Sequence, residues 1–162
     1  MADETRFGGS GVSAPGAHRR APWHRWAVGV LALLWNLMGA ADYTFTHLGN
    51  RDWIEGGARR MGITAQEMIA YVDSLPGWLH AFWAIGVWGG VLGAILLLAR
   101  SRYAVWSFAL SLLGLAVTQF YRAFAPRPDW ADGDLAFNLL LWSVATFLVI
   151  YVLSMRRKGV LR

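Results

Sequence analysis

The stretch WLHAFWAIGVWGGVLGAILLLA, Trp78 to Ala99, decides the fold. It holds 22 residues and no Asp, Glu, Lys or Arg. About 20 apolar residues cross the hydrocarbon core of a bilayer, so it predicts a transmembrane helix. Within it, Gly86/Gly90 and Gly89/Gly93 are two overlapping small-xxx-small pairs. Small residues at that spacing let a neighbouring helix come close inside lipid. Packing within a bundle is the first reading of them, dimerisation the second.

Outward from this stretch, three more spans follow the same logic. Trp26 to Leu48 precedes it; Tyr103 to Phe124 and Asp134 to Met155 follow it. The basic flank, apolar run and Gly39-Ala40-Ala41 of the first span resemble a cleavable signal. The apolar pattern continues past Ala41, which predicts a retained signal anchor instead. Residues 1–21 are rich in Gly, Ser, Ala and Pro and predict a flexible tail. The fold expected is all-α: one four-helix membrane domain over residues 22–162. Between the first two spans, Gly49 to Gly77 reads as a polar connection. In it, Thr64-Ala65-Gln66-Glu67 spells a capping box, so a short amphipathic helix is expected from there to Ser74. Its expected place is flat on the membrane surface or capping the bundle. Ala125 to Gly133 reads as a turn.

Composition agrees with lipid as the solvent. The 162 residues are 56% hydrophobic and include ten Trp; mean hydropathy is +0.38. The formal net charge is +5. In a soluble protein that balance would suggest nucleic acid. Here the basic residues sit at span ends, where headgroups and topology account for them, and no nucleic-acid partner is implied. Ten of the fifteen Lys and Arg lie in the N-terminal stretch, the Arg100-Ser101-Arg102 turn and the C-terminal stretch. The positive-inside rule then places both termini in the cytoplasm, with the cap helix periplasmic. Trp23, Trp53, Trp78 and Trp130 read as interface anchors. There is no Cys, so thiol chemistry is excluded.

At 100° per residue, Asn36, Gly39, Ala40, Tyr43 and His47 share one stripe of the first span, with Asp42 beside it. Ser107, Ser111, Gly114, Thr118, Tyr121 and Arg122 share one on the third, opposed by Phe108, Leu112, Ala116 and Phe120. Asn138, Trp142, Ala145 and Val149 line the fourth. These stripes are expected to face each other and the glycines. The topology then gathers Asp42, Tyr43, His47, His80, Gln119, Arg122 and Asn138 into the outer third, as a polar pocket. Ionisable groups in membrane spans are functional candidates by default. Asp42 is the sharpest, with Arg122 or His80 as its expected partner. Against this stand plain structural readings: an ion pair, interfacial histidines and hydroxyls that only join helices. No phosphate loop, serine elbow or zincin helix is present. Nothing points to a catalytic residue, a metal or a cofactor.

Specific runs also carry a resemblance. They are Ala21-Pro22-Trp23-His24, Leu34 to Ala40 (LWNLMGA) with Asp42-Tyr43, Ala81 to Gly90 (AFWAIGVWGG), Arg100-Ser101-Arg102 and Ser111-Leu112-Leu113-Gly114. In these the chain resembles a family of small proteobacterial inner-membrane proteins, often labelled "sugar transporter" or hypothetical. The resemblance implies four spans and an inner-membrane address, and it carries over no catalytic residue. Three functions are weighed. The first is a non-enzymatic accessory subunit of a larger membrane complex, or a binder of a small ligand or lipid. The second is a small-solute transporter acting as a homo-oligomer, and the third a redox or quinone-handling subunit.

Overall fold

The computed structural model of the chain describes residues 23–132 and 135–161. The tail expected over residues 1–21 lies outside them, as does Asp134 at the expected start of the fourth span. Among the described residues there are six α-helices and no strand. They are α1 (His24–His47), α2 (Arg51–Met61), α3 (Ala65–Ser74), α4 (Gly77–Leu98), α5 (Ala104–Phe124) and α6 (Leu135–Arg157). One 3-10 turn, Asp129–Asp132, lies between α5 and α6.

Four helices, α1, α4, α5 and α6, are long and apolar enough to cross a membrane. The 22 residues of α4 extend about 33 Å, close to the thickness of a hydrocarbon core. No more than 28% of any span's apolar window is buried inside the protein. Leu34, Leu92, Leu110, Phe147 and Ile150 all point outward. In water such a surface would drive aggregation, whereas lipid covers it at no cost. The fold is an all-α four-helix membrane bundle.

The spans run up and down in sequence order. α4 lies between α1 and α5, and α6 packs chiefly on α5. One end of the bundle carries α2 and α3 and is the cap end; the other carries Trp23 and Leu161 and is the termini end. The apolar core sits toward the termini end, where Ala32, Leu97, Phe108, Leu148, Val152 and Met155 meet. After α6 the chain turns back, and Val160 and Leu161 are buried against this core. Arg25, only 3% exposed, sends a guanidinium N–H to the carbonyls of Leu97 (3.0 Å) and Leu98 (2.8 Å). Both carbonyls belong to the last turn of α4, where a cation also meets the negative end of the helix dipole. His24 and Tyr151 join α1 to α6 at the same end, Nδ1 to Oη 2.8 Å.

α4 and α5 touch backbone to backbone. A Cβ built on Gly114 would stand 2.6 Å from the amide nitrogen of Gly86 and 2.6 Å from the carbonyl oxygen of Phe82. Above and below that contact, Ser107 Oγ donates to the Gly89 carbonyl at 2.9 Å and Ser111 Oγ to the Gly86 carbonyl. Gly93 faces the ring of Phe108, and Gly90 faces the amide of Asn36. On the other side of α4, Leu98 fills the space over Gly29. Gly86, Gly89, Gly90 and Gly93 of α4 are thus covered from within the chain by α5 and α1.

Three expectations are corrected. Phe108, placed on the lipid side of α5, is 3% exposed, because Gly93 opposite leaves room for its ring. On α6 the buried line is Leu148, Val152 and Met155, while Trp142 is 37% exposed; apolar packing, not polarity, sets that face. The connection after α1 holds a second helix, α2. Asn50 caps it by accepting the Trp53 N–H at 3.1 Å. Gly62 ends it at φ +72°, a left-handed conformation that suits glycine. The capping box at Thr64 and Glu67 opens α3.

Gly114→Ala is expected to destabilise the bundle by about 1–3 kcal/mol, because backbone atoms cannot give way to the added methyl. Gly56→Ala, where a Cβ meets nothing within 4 Å, is expected to be neutral or stabilising by up to ~1 kcal/mol. Unfolding of the two variants in the same detergent checks the contrast.

Candidate functional site

The seven polar residues of the expected pocket all lie toward the cap end, but they divide into separate groups. Tyr43, His47 and His80 come together where the end of α1 meets the start of α4. Tyr43 stacks on the His47 ring with centroids 4.0 Å apart. Trp83, one turn after His80, stands edge-on to Tyr43 and His47 at 5.2 and 5.4 Å. His47 Nε2 and His80 Nδ1 are 2.9 Å apart.

The proton positions in this pair follow from its partners. His47 Nδ1 is 2.9 Å from the Tyr43 carbonyl, which can only accept. So Nδ1 of His47 carries the hydrogen, and in the neutral ring Nε2 is bare. His80 Nδ1–H therefore donates to it, leaving the lone pair of His80 at Nε2. One added proton, on that Nε2, keeps the chain of bonds intact. A second would set N–H against N–H and break the link between α1 and α4.

Asp42 does not pair with Arg122 or His80. It faces α2 and accepts the indole N–H of Trp53 at 3.0 Å. Trp53 also packs on Phe45, 5.1 Å between centroids, so it fastens α2 to α1. This partner was missed because α2 was read as loop. Gln119 Nε2 donates to Asn138 Oδ1 at 2.9 Å and joins α5 to α6. Arg122 Nη2 donates to the Ala131 carbonyl at 2.6 Å, and Arg127 donates to the Arg122 carbonyl. The two arginines thereby tie down the corner that leads from α5 to the 3-10 turn.

Between that corner and α3 lies a cavity of about 510 Å³. Glu67, Tyr71 and Ser74 of α3 line one side; Arg122, Arg127 and Trp130 line the other. Tyr71 and Trp130 meet edge to face at 5.2 Å and close one flank. Of the seven expected residues, only Arg122 lines it. Arg127, Tyr71 and Trp130 were missed as site residues. The sequence signals were a Tyr on the cap helix and an Arg-Pro-Asp-Trp turn, neither of which fixes an orientation. Glu67 has a second task there. Its Oε2 accepts from the Thr64 N–H at 2.7 Å and the Thr64 hydroxyl at 2.8 Å. The backbone bond chiefly, and the hydroxyl bond with it, hold this carboxyl below the usual carboxylate range. Among the described residues, no group of three or more His, Asp or Glu can hold a metal ion.

Two outcomes are expected. At alkaline pH, nitrogen NMR of the histidines shows the Nδ1–H tautomer in both His47 and His80. Ionised Glu67 stabilises the start of α3 at any pH above its ordinary carboxylate range, and this is lost as pH falls through its lowered pKa. Protection of the amides of Thr64 and Glu67 against hydrogen exchange, taken relative to the intrinsic rate at each pH, is therefore expected to fall in acid, and in Thr64→Ala the Glu67 amide is expected to be weakly protected at every pH. No protein-family model, curated protein or solved structure matches this chain, so the functional reading rests on these side chains.

Proposed function

We propose that this chain is a non-enzymatic protein of the bacterial inner membrane, akin to the small four-span proteins its second span resembles. In this reading both termini are cytoplasmic, and the cap end takes a small ligand or a lipid. The protein acts alone or as an accessory subunit of a larger membrane complex. One observation carries the reading: charged, hydroxyl and aromatic side chains surround a cavity at the cap end, while the termini half holds a closed apolar core. A bundle open at one end and solid at the other suits binding better than passage. Conduction would need polar groups along the full depth.

Charge supports the orientation. The Arg100–Arg102 turn and the basic end of α6 lie at the termini end, opposite α2 and α3. The rule of cytoplasmic Lys and Arg then makes the cap periplasmic.

A fluorescent-protein fusion at the C-terminus is expected to glow, and an alkaline phosphatase fusion at the same point to stay inactive; the reverse pattern overturns the orientation. Native mass spectrometry of the full chain from mild detergent is expected to show a retained small molecule, lipid or partner subunit. A bare monomer in every detergent tested overturns the binding role.

A further inference from the structure

The bond between His47 and His80 joins the outer ends of α1 and α4 beneath the cap. Among the described residues it is the one hydrogen bond between these two helices at that end; the two from Arg25 lie at the termini end. From α1 the chain runs on into α2, which Trp53 fastens back to Asp42 and Phe45. α4 is entered from α3 through Leu75 and Pro76. The histidine pair therefore ties the arm that carries α2 to the arm that carries α3.

The surroundings of the pair limit the charge it can hold. His47 is fixed by the Tyr43 carbonyl at Nδ1, by the Tyr43 ring stacked on it and by the edge of Trp83. On α1 the nearby titratable groups are the Tyr43 phenol and the Asp42 carboxylate, and the carboxylate is turned to Trp53. α4 contributes Trp83, which carries no charge. α2 opens with Arg51 and Asp52, both exposed and opposite in sign. Among the described residues no bond, ion pair or ring contact joins either imidazole to α3, α5 or α6. No carboxylate is thus paired with the histidines to offset a second positive charge. Two charged rings would turn N–H toward N–H across 2.9 Å, and like charges that close repel.

We propose that the pair is an acid-released latch on the cap. With at most one added proton the bond is intact, and the outer ends of α1 and α4 are held together. With two, the rings part and the last turns of α1 move off α4, drawing α2 with them. The packing of Gly39 on Val87, about two turns below His47, is the pivot. His47 is exposed and His80 half-buried, so protons reach the pair from the cap side. The latch does not depend on what the cavity under α3 holds, and its failure leaves the binding role standing.

The chain has no Cys, so Leu48→Cys and Gly77→Cys place one spin label on each arm. Leu48 is exposed, and a Cβ at Gly77 meets nothing within 4 Å. The full chain in lipid nanodiscs is measured at about pH 8 and about pH 4.5, either side of the range over which imidazoles ordinarily take up a proton. The distance between the labels is expected to lengthen in acid and to return when the pH is restored. His80→Asn puts an amide where Nδ1 stands, able to donate to neutral His47 or to accept from its charged form. It is expected to keep the short distance at both pH values, and His80→Ala to show the long one already in alkali. A native distance that ignores pH overturns the latch. So does an equal lengthening in His80→Asn, since another group then titrates, or a short alkaline distance in His80→Ala. In the chain without substitutions, nitrogen–nitrogen NMR coupling across the His47–His80 bond is expected in alkali and lost in acid. Its persistence in acid overturns the latch whatever the variants do.

Discussion

Lipid gives two helices no hydrophobic reason to associate, since hydrocarbon outside them is as apolar as leucine. What remains is close packing and hydrogen bonding, and α4 with α5 uses both at one place. Gly114 rests on the backbone of Gly86 and Phe82. The hydroxyls of Ser107 and Ser111 reach carbonyls of α4 that the approach brings within range. Each depends on the other: without glycine the serines cannot reach, and without the serines the close approach gains little. α1 is then placed by the opposite side of α4, and α6 by α5. The position of every polar group at the cap end is inherited from this seam.

The long elements were legible because their signal is strong and redundant. Four apolar runs of bilayer length, bounded by Arg, Pro and Trp, fall within two residues of the helices observed. The capping box was legible for another reason, since its two side chains satisfy each other locally. What failed was whatever depended on partners far away in sequence. Gly56-Gly57 and five charges made residues 51–61 look like loop, though Asn50 and Gly62 are a cap and a stop at the correct distance. Phe108 was sorted by polarity, yet a large ring opposite Gly93 is a packing solution that polarity does not reveal. Asp42 was matched with a cation because charge suggests charge. Its indole partner came from the helix that had not been seen.

The polar residues of the cap end show a related difference between depth and convergence. Their depth could be read from topology, because alternating spans bring the end of one to the level of the start of the next. Convergence requires rotation about each helix axis, and here rotations divide them. His47 and His80 face across α1 and α4, Gln119 and Asn138 across α5 and α6, and Arg122 faces the corner beneath α3. Two of these groups join neighbouring helices. The third borders the cavity, because α3 is anchored at its start by Thr64 and Glu67 and held at its side by Tyr71 on Trp130.

Arg25 has an implication for how the chain is made. Its two carbonyl partners lie 72 and 73 residues further along, so they do not yet exist when the first span leaves the ribosome. At the very end of its span the guanidinium meets water and headgroups until such acceptors arrive. The tie therefore closes only when α4 has come to lie beside α1, and it fastens the open ends of a hairpin whose arms are joined at the other side by the cap.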